Sequence, residues 1–276
     1  MQNIFRPRLL TLVCAGALSL AAWADEARTF AIGEWNADCP ANTRTEWPGM
    51  CQAWLDGMKK NGWTASTYLG AQVRAGAFMD PAKVAGGRDN TADGADSADA
   101  TLFCGHGGYS PTRGFFAYFQ NQENGNCRAY PDQMLYGPLA GGKARFMHFS
   151  ACNSIRWEHR ELWKSAAEGG VHVITGFHGL MYIGWMFNEG YGKVASQGYS
   201  QKGVAKAWVD NTYDPGSWYT GNNKVCPVSL AFGDAEYSAA YTLDEGYFHH
   251  WPTMKPNYMT SYYVSKCEPN GAPALP

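Results

Sequence analysis

The chain has 276 residues, of which 14% are aromatic and 17% are charged, and its formal net charge is −2. The aromatic content is typical of a folded protein rather than a disordered one, and the length suits one large domain or two small ones. Lysine and arginine form no cluster, so the charge pattern argues against a nucleic-acid partner.

Residues 1–24 have the three-part pattern of a secretory signal peptide. Two arginines precede an apolar run over residues 9–20, and Ala22 and Ala24 are the small residues that a cleavage site after Ala24 requires. The alternative is a membrane anchor, but the run is shorter than the ~20 residues that span a bilayer. No second long apolar run follows. We therefore predict an exported protein, periplasmic or extracellular, with no membrane span in the mature chain.

Beyond residue 24, predicted strands alternate with predicted helices. The strands lie at residues 29–35, 64–73, 100–104, 115–119, 145–149, 171–175, 228–232 and 261–264, and the helices lie between Trp47 and Asn61 and at residues 155–168, 182–196 and 203–211. The strand at 115–119 is placed beside that at 100–104. Such alternation is typical of βαβ units and a mostly parallel sheet. We predict an α/β domain at residues 25–212, with an aromatic-rich C-terminal extension at 213–276 packed on it.

An acidic segment at residues 89–99 partly matches a calcium-binding loop. Asp89 and Asp93 occupy two of the ligand positions, but Ala100 stands where the loop needs a bidentate glutamate. We interpret the segment as a solvated acidic loop. No metal and no organic cofactor is predicted for the chain.

Seven of the eight cysteines lie beyond the predicted signal peptide: Cys39, Cys51, Cys104, Cys127, Cys152, Cys226 and Cys267. An exported chain meets an oxidising compartment, so disulfides are expected, and an odd count leaves at least one thiol that is free or pairs with another molecule. Sequence does not determine the connectivity. Pairing of neighbours along the chain predicts the bridges Cys39–Cys51, Cys104–Cys127 and Cys226–Cys267. This pairing leaves Cys152 free, the alternative being an ordinary disulfide at that position.

Two predicted strands end in side chains that can react. The strand at residues 100–104 is followed by Gly105-His106-Gly107, and the strand at 145–149 is followed by Ser150-Ala151-Cys152. Because ligands bind beyond the carboxyl ends of parallel strands, adjacent strands would bring His106 and Cys152 to the same edge of the sheet. The pair is our candidate for chemistry.

A cysteine nucleophile needs an activated thiol, a base and an oxyanion site. The thiolate is the attacking form of cysteine, and the helix predicted at residues 155–168 would lower the pKa of Cys152 through its dipole. His106 supplies the base and later protonates the leaving amine. The backbone N–H groups of Gly107 and Cys152 are the candidate oxyanion donors.

In order and setting, these motifs resemble those of the caspase-like cysteine peptidases of clan CD, a group that includes caspases, legumain and gingipain. The matching stretches are residues 100–107, ending in His106-Gly107, and residues 146–152, ending in Ala151-Cys152. The chain is similar, too, to a family of uncharacterised exported bacterial proteins in three further segments: Asp96-Ser97-Ala98-Asp99, Trp163 and residues 170–177.

The resemblance implies a caspase-like three-layer sandwich with a mostly parallel central sheet, and a catalytic dyad of Cys152 and His106. It implies a peptide or protein substrate that is hydrolysed through a thioester acyl-enzyme. Its implied substrate-pocket residues are Asn36, Asn153, Gly176 and His178. The arginines or acids that select the P1 residue in such enzymes have no match that we can place in this chain.

Two other functions stay open at the level of sequence. One is a catalytically inactive member of the same fold that binds a peptide or a glycan through its aromatic surface residues. The other is a thiol-dependent acyl or amide hydrolase that does not act on peptides, because the same dyad chemistry would serve it.

Overall fold

The computed structural model describes residues 25–123, 125–200 and 202–276, and the predicted signal peptide lies outside them. The strands are β1 (Glu26–Ala31), β2 (Thr64–Leu69), β3 (Ala100–Cys104), β4 (Gly107–Ser110), β5 (Gly114–Glu123), β6 (Asn126–Ala129), β7 (Phe146–Ser150), β8 (Val173–His178), β9 (Cys226–Gly233) and β10 (Tyr258–Tyr263). The α-helices are α1 (Trp47–Lys60), α2 (Trp163–Ala167), α3 (Asn188–Ser200), α4 (Val204–Thr212) and α5 (Glu236–Thr242).

The centre of the fold is a seven-stranded sheet in the order β10-β9-β8-β7-β3-β1-β2. The five strands from β2 to β8 in this order run parallel, and β9 and β10 are antiparallel to their neighbours. The prediction of a mixed α/β fold with a mostly parallel sheet is therefore confirmed. The segment 213–276 supplies β9 and β10 to this same sheet.

The prediction that the strand at 115–119 pairs beside the strand at 100–104 is wrong. Both edges of β3 are occupied, by β1 and by β7. The 115–119 segment instead lies in β5, which forms a separate three-stranded antiparallel sheet with β4 and β6. The short turn from β4 to β5 makes this local pairing available without competing for the central sheet.

The five inner strands of the central sheet are buried on both faces, as continuous apolar strands require, whereas the edge strands β2 and β10 are partly exposed. One hydrophobic cluster contains Phe103 of β3 together with Phe115 of β5 and Trp163 of α2. The cluster on the other face contains Leu102 of β3, together with residues from α1, α3 and α4, such as Trp208. Alternate residues of β3 thus point into two cores, one on each side of the sheet.

Helix α1 follows directly from its sequence pattern. Its buried residues recur three or four positions apart, which places them on one face: Trp47, Met50, Cys51, Trp54, Leu55 and Met58. Pro48 lies in the first turn, where its missing N–H costs no hydrogen bond. The helix ends at Lys60, before Asn61, as predicted. Its apolar face packs on β1 and β3.

Three disulfides cross-link the described residues: Cys39–Cys127, Cys51–Cys104 and Cys226–Cys267. The predicted Cys226–Cys267 bridge and the free thiol of Cys152 are confirmed. The other two predicted bridges are wrong, because packing rather than proximity in sequence chooses the partners. Cys51 lies on the buried face of α1, and its Cα is 6.2 Å from that of Cys104.

The prediction that the acidic segment at residues 89–99 is a solvated loop holds only for residues 91–93, which are exposed. Asp89 and Asp96 are both fully buried, and Asp96 accepts hydrogen bonds from the backbone N–H groups of Gly137 and Ala144. Burial, with the nearby carboxylates of Asp96 and Asp80, raises the pKa of Asp89 to about 8. The segment, which directly precedes β3 in the chain, turns Asp89 and Asp96 towards the protein interior.

No helix among residues 25–123, 125–200 and 202–276 has the length and apolar character to cross a bilayer.

Candidate active site

His106 and Cys152 occupy equivalent positions at the carboxyl edge of the sheet. Each lies two residues beyond the end of its strand, β3 for His106 and β7 for Cys152. The two strands are parallel neighbours, with Cys104 opposite Ser150 in register. The expectation that adjacent parallel strands bring the two segments to one edge is therefore met by the topology.

The imidazole of His106 is held between two indoles. Its ring centroid is 4.4 Å from that of Trp35 and 4.7 Å from that of Trp47. Its Nε2 is 2.7 Å from the carbonyl oxygen of Asn42. Because a carbonyl only accepts, Nε2 carries the proton in this bond and Nδ1 is the unprotonated nitrogen of the neutral ring.

Burial lowers the pKa of His106, the hydrogen bond to Asn42 opposes this shift, and the Arg44 guanidinium adds to it. The net direction is downwards, so the ring is neutral at neutral pH. A neutral imidazole with a free Nδ1 is the form that can act as a general base.

Cys152 lies at a sharp turn after β7. The next residue, Asn153, has a φ of 58°, a left-handed conformation that is uncommon outside glycine and recurs at functional sites. The thiol is half-buried and unpaired. Its Sγ is 3.5 Å from the backbone N of Met181, which donates to it, and 3.7 Å from the carbonyl oxygen of Met181.

The predicted helix directly after Cys152 is absent. Residues 152–155 form a turn, which a 3₁₀ helix (Trp157–Leu162) and then α2 follow. The N–H groups of Asn153 and Ile155 donate to the carbonyls of Gly179 and Phe177, so the backbone here bonds to the end of β8 rather than to itself.

The electrostatic prediction for Cys152 fails for the same reason. With no helix N-terminus beside it, burial raises the pKa of the Cys152 thiol, and the N–H of Met181 offsets this only in part. The thiol is therefore protonated in this state of the protein.

A pocket of about 380 Å³ opens over both residues. It is lined by His106 and Cys152, together with a charged wall and an apolar wall: Arg44, Glu46, Trp47, Met181, Tyr182 and Ile183. The volume is large enough to hold one bulky side chain of a ligand. The site is thus a cleft with a free thiol and an imidazole in its lining.

Gly107 lies against the backbone of Cys152. A Cβ at this position would be 2.6 Å from the carbonyl oxygen of Cys152 and 2.8 Å from the Cβ of Ala151, so only glycine fits without a shift. In the β4–β5 ladder, Tyr118 donates to the carbonyl of His106, while Gly107 is opposite Ala117. Hydrogen-bonded and non-bonded pairs alternate, so the Gly107 N–H points away from β5.

The four residues that resemblance assigned to the substrate pocket lie outside its lining. Asn36 donates to Asn121 and accepts from the backbone of its own turn. Asn153 shapes the turn after Cys152. Gly176 lies within β8, where a Cβ would be 2.4 Å from Ser154 Oγ. His178 is fully buried and bonds to Trp157 N and to the carbonyl of Pro273.

Sequence reasoning missed the residues that do line the pocket. Met181, Tyr182 and Ile183 follow the carboxyl end of β8, so the rule that located His106 and Cys152 also applies to them. The sequence pattern instead placed residues 182–196 in a helix, which in the structure begins only at Asn188.

The other missed wall comes from the irregular segment before α1. Cys39 of this segment is bridged to Cys127 of β6, and the N–H of Arg44 donates to the carbonyl of Gly33. These ties hold Asn42, Arg44 and Glu46 beside His106. No local sequence signal announces such a placement.

Within the described part of the chain, no group of three or more histidine, cysteine, aspartate or glutamate side chains has an arrangement that could hold a metal ion.

No curated protein matches the chain in a sequence search. A family model described as "Domain of unknown function (DUF6345)" matches residues 50–264. The matched region runs from α1 into the segment after β10 and includes both His106 and Cys152. Because it covers well over half of the chain, the protein belongs to the DUF6345 family.

Proposed function

We propose that this protein is an exported cysteine peptidase of caspase-like fold, in which Cys152 and His106 hydrolyse peptide bonds through a thioester acyl-enzyme. One observation carries the proposal. A free thiol and a neutral imidazole occupy equivalent positions beyond two neighbouring parallel strands and line the same pocket.

The architecture supports the caspase-like part of the proposal. A mostly parallel sheet with both faces covered has the layering of a three-layer sandwich, and the histidine strand lies directly beside the cysteine strand. A short antiparallel sheet begins at Gly107, immediately after the histidine. The disulfides support export, because such bonds persist in oxidising compartments.

His106 is suited to the role of base. Its Nε2 is bound to the carbonyl of Asn42, which fixes both the tautomer and the orientation of the ring. Trp35 and Trp47 prevent the ring from turning. Nδ1 is therefore the nitrogen that accepts the thiol proton, provided that the Cys152 side chain rotates from Met181 towards it.

Acylation begins when a peptide carbonyl occupies the pocket. The Cys152 thiol gives its proton to Nδ1 of His106, and the sulfur attacks the carbonyl carbon. The electron pair of the C=O bond moves to oxygen, where the N–H groups of Gly107 and Cys152 stabilise the charge. The C–N bond then breaks as His106 returns the proton to the leaving amine, and a thioester remains.

Deacylation uses the same base. His106 takes a proton from water, the resulting hydroxide attacks the thioester carbonyl, and the C–S bond breaks. The sulfur leaves as thiolate and recovers the proton from His106, which restores the resting state. A protonated resting thiol, consistent with the raised pKa of Cys152, makes His106 indispensable as the proton acceptor in the first step.

The experiment that tests the proposal is alkylation of the unreduced protein with iodoacetamide, read by peptide mass spectrometry. We expect Cys152 to be labelled alone, and labelling to slow about a hundredfold or more in His106→Ala, because loss of a general base costs about 10²- to 10⁴-fold. His250→Ala is the matched control, because His250 is exposed and remote from the pocket. Equal rates of Cys152 alkylation in the His106→Ala and His250→Ala variants would contradict the proposed dyad.

A second candidate function is supported by the state of the thiol. Within the described residues Cys152 Sγ bonds to Met181 rather than to His106, and its raised pKa disfavours the thiolate. A catalytically inactive protein that binds a peptide or glycan would retain such a resting cysteine. This candidate predicts that alkylation is slow and independent of His106, and that a digest of a peptide library shows no cleavage.

A further inference from the structure

Two aromatic turns lie beside the candidate pocket. The first is a 3₁₀ helix (Trp185–Phe187) that begins two residues after Ile183 of the pocket wall. The second is a 3₁₀ helix (Trp218–Thr220) in the segment between α4 and β9. They meet through Phe187 and Tyr219, whose ring centroids are 5.8 Å apart at an interplanar angle of 88°.

Each turn presents one tryptophan to solvent. Trp185 is 79% exposed and Trp218 is 83% exposed, more than any other large hydrophobic residue among those described. Trp218 also contacts Tyr219, with centroids 5.4 Å apart. We call Trp185, Phe187, Trp218 and Tyr219 the aromatic platform. Large apolar side chains left together on a surface mark interaction sites.

Hydrogen bonds hold the backbone of the second turn in place. Asp214 accepts hydrogen bonds from the N–H of Gly216 and the hydroxyl of Ser217, and Thr220 Oγ1 lies within hydrogen-bond distance of the carbonyl oxygens of Ser217 and Asn223, between which its single proton is shared. Thr220 is 1% exposed. Trp218 is therefore displayed by a structured turn, so its exposure is a feature of the fold.

The platform carries no charge of its own. Residues 181–187 contain no charged residue, and Asp214 is the one charged residue in the segment 213–223, where it is buried and bonded within the turn. A glycan would need fixed polar partners for its hydroxyl groups, but Ser217 and Thr220 are occupied by the turn. An uncharged segment rich in apolar side chains is the better complement.

We propose that the aromatic platform binds an uncharged, apolar stretch of the substrate polypeptide that flanks the residue held in the Cys152–His106 pocket. Tyr182 and Ile183 line the pocket, and Trp185 follows two residues later in the same irregular segment. One extended substrate chain can therefore contact both the pocket and the aromatic platform. Tryptophan and tyrosine dominate such contacts because they bury a large area at a low cost in conformational entropy. The inference rests on the proposed function in one respect, namely that the bound polypeptide is a substrate.

The first test measures binding without turnover, on the Cys152→Ser protein by fluorescence anisotropy. The probes are a labelled peptide of alternating leucine, phenylalanine and glutamine, an equally long glycine–serine peptide, and a cello-oligosaccharide. We expect the apolar peptide to bind preferentially, and Trp185→Ala and Trp218→Ala each to weaken its binding about tenfold. Tyr237→Ala is the matched control, since Tyr237 is 68% exposed on α5, outside the platform.

Preferential binding of the oligosaccharide, or an equal loss in the Tyr237 variant, would overturn the inference. A second measurement separates it from the proposed function. On active protein, we expect Trp185→Ala to lower the ratio of kcat/KM for an extended peptide to that for its short core about tenfold. Platform-dependent binding without any cleavage would remove the peptidase and leave the platform as a peptide-binding site. Cleavage with an unchanged ratio would remove the platform and leave the peptidase.

Discussion

The two edges of the central sheet carry polar groups of different kinds. At the amino edge, the residue immediately before each of four parallel strands is ionisable: Asp25, Asp99, Arg145 and His172, before β1, β3, β7 and β8. At the carboxyl edge, His106 and Cys152 follow β3 and β7. Strands β3 and β7 therefore position polar groups at both edges of the sheet.

The amino-edge groups bind one another. The Arg145 guanidinium lies 3.6 Å from Asp25 and 3.9 Å from both Asp99 and Glu245, and His172 Nδ1 is 2.7 Å from Glu245. Arg145 also donates to the carbonyl of Tyr247. With these partners inside the protein, the amino edge is a structural network.

The carboxyl-edge groups instead face a cleft. His106 has one ring nitrogen bound to a backbone carbonyl, and Cys152 has only backbone partners at long distances. Their reactive atoms are left for a ligand. The difference teaches that the role of a polar residue at a sheet edge can be inferred from its bonding partners. It predicts that substitutions at the amino edge change stability and that substitutions at the carboxyl edge change reactivity.

The largest effect is expected at Arg145. Arg145→Met leaves the buried Glu245 and the partly buried Asp25 and Asp99 without their cation, and we expect a loss of about 3–5 kcal/mol in the free energy of unfolding, as for a broken buried ion pair. Urea denaturation measures it. Arg113→Met, which breaks the exposed pair with Asp132, should cost under about 1 kcal/mol.

If the still-folded Arg145→Met protein also loses Cys152 alkylation, the two edges are not independent and the comparison fails.

The next effect is a pH dependence of stability from the buried segment that precedes β3. The pKa values of Asp89 and Asp96 are raised, by burial first, to about 8 and about 7. The folded protein holds these protons more tightly than the unfolded chain, so their stabilising contribution is complete below the unfolded pKa of about 4 and is lost as the pH rises through 7 and 8. We expect the free energy of unfolding to decline by a few kcal/mol between about pH 4 and about pH 8.

Chemical denaturation at a series of pH values measures this decline. Asp89→Asn should flatten it, because the amide does not ionise. Asp93→Asn is the control, since Asp93 is exposed and its pKa is lowered rather than raised. An unchanged slope in Asp89→Asn would contradict the prediction.

The last effect is expected at Gly107, and it is measured as reactivity rather than as stability. A Cβ there collides with the carbonyl of Cys152 at 2.6 Å, so Gly107→Ala should move the nucleophile relative to His106 and slow His106-dependent alkylation about tenfold, within the range that misplacement of a reacting group costs. Gly49→Ala on α1 is the control, because the nearest atom would be 3.6 Å away. A variant that labels at the wild-type rate would show that Gly107 does not position Cys152.

Much of the fold could be predicted because it depends on periodic patterns. The apolar runs of β3 and β7 and the three-to-four spacing of α1 each identify an element without knowledge of the rest. Other elements could not be predicted in this way. Residues 155–168 and 182–196 both have helical spacing. In the structure, the first segment begins with a hydrogen bond to β8 and the second begins in the pocket wall, so part of each is not α-helical.

The same distinction applies to the candidate site. His106, Gly107 and Cys152 are identified by their positions after buried strands, so a rule of sheet topology was sufficient. The four proposed pocket residues and the pKa of Cys152 depended on details that the rule does not contain. The pocket over His106 and Cys152 is lined instead by residues that include Arg44 and Glu46, which an irregular segment tied by a disulfide brings to the edge.

Sequence alone determined the mixed α/β class with a mostly parallel sheet, the free thiol and the two strand ends that carry His106 and Cys152, since these follow from periodicity, cysteine count and the alternation of elements. Tertiary structure alone decided which cysteines pair, which walls enclose the pocket and in which direction the pKa of Cys152 moves. These depend on contacts between segments distant in the chain, and on burial, which no local pattern of residues encodes.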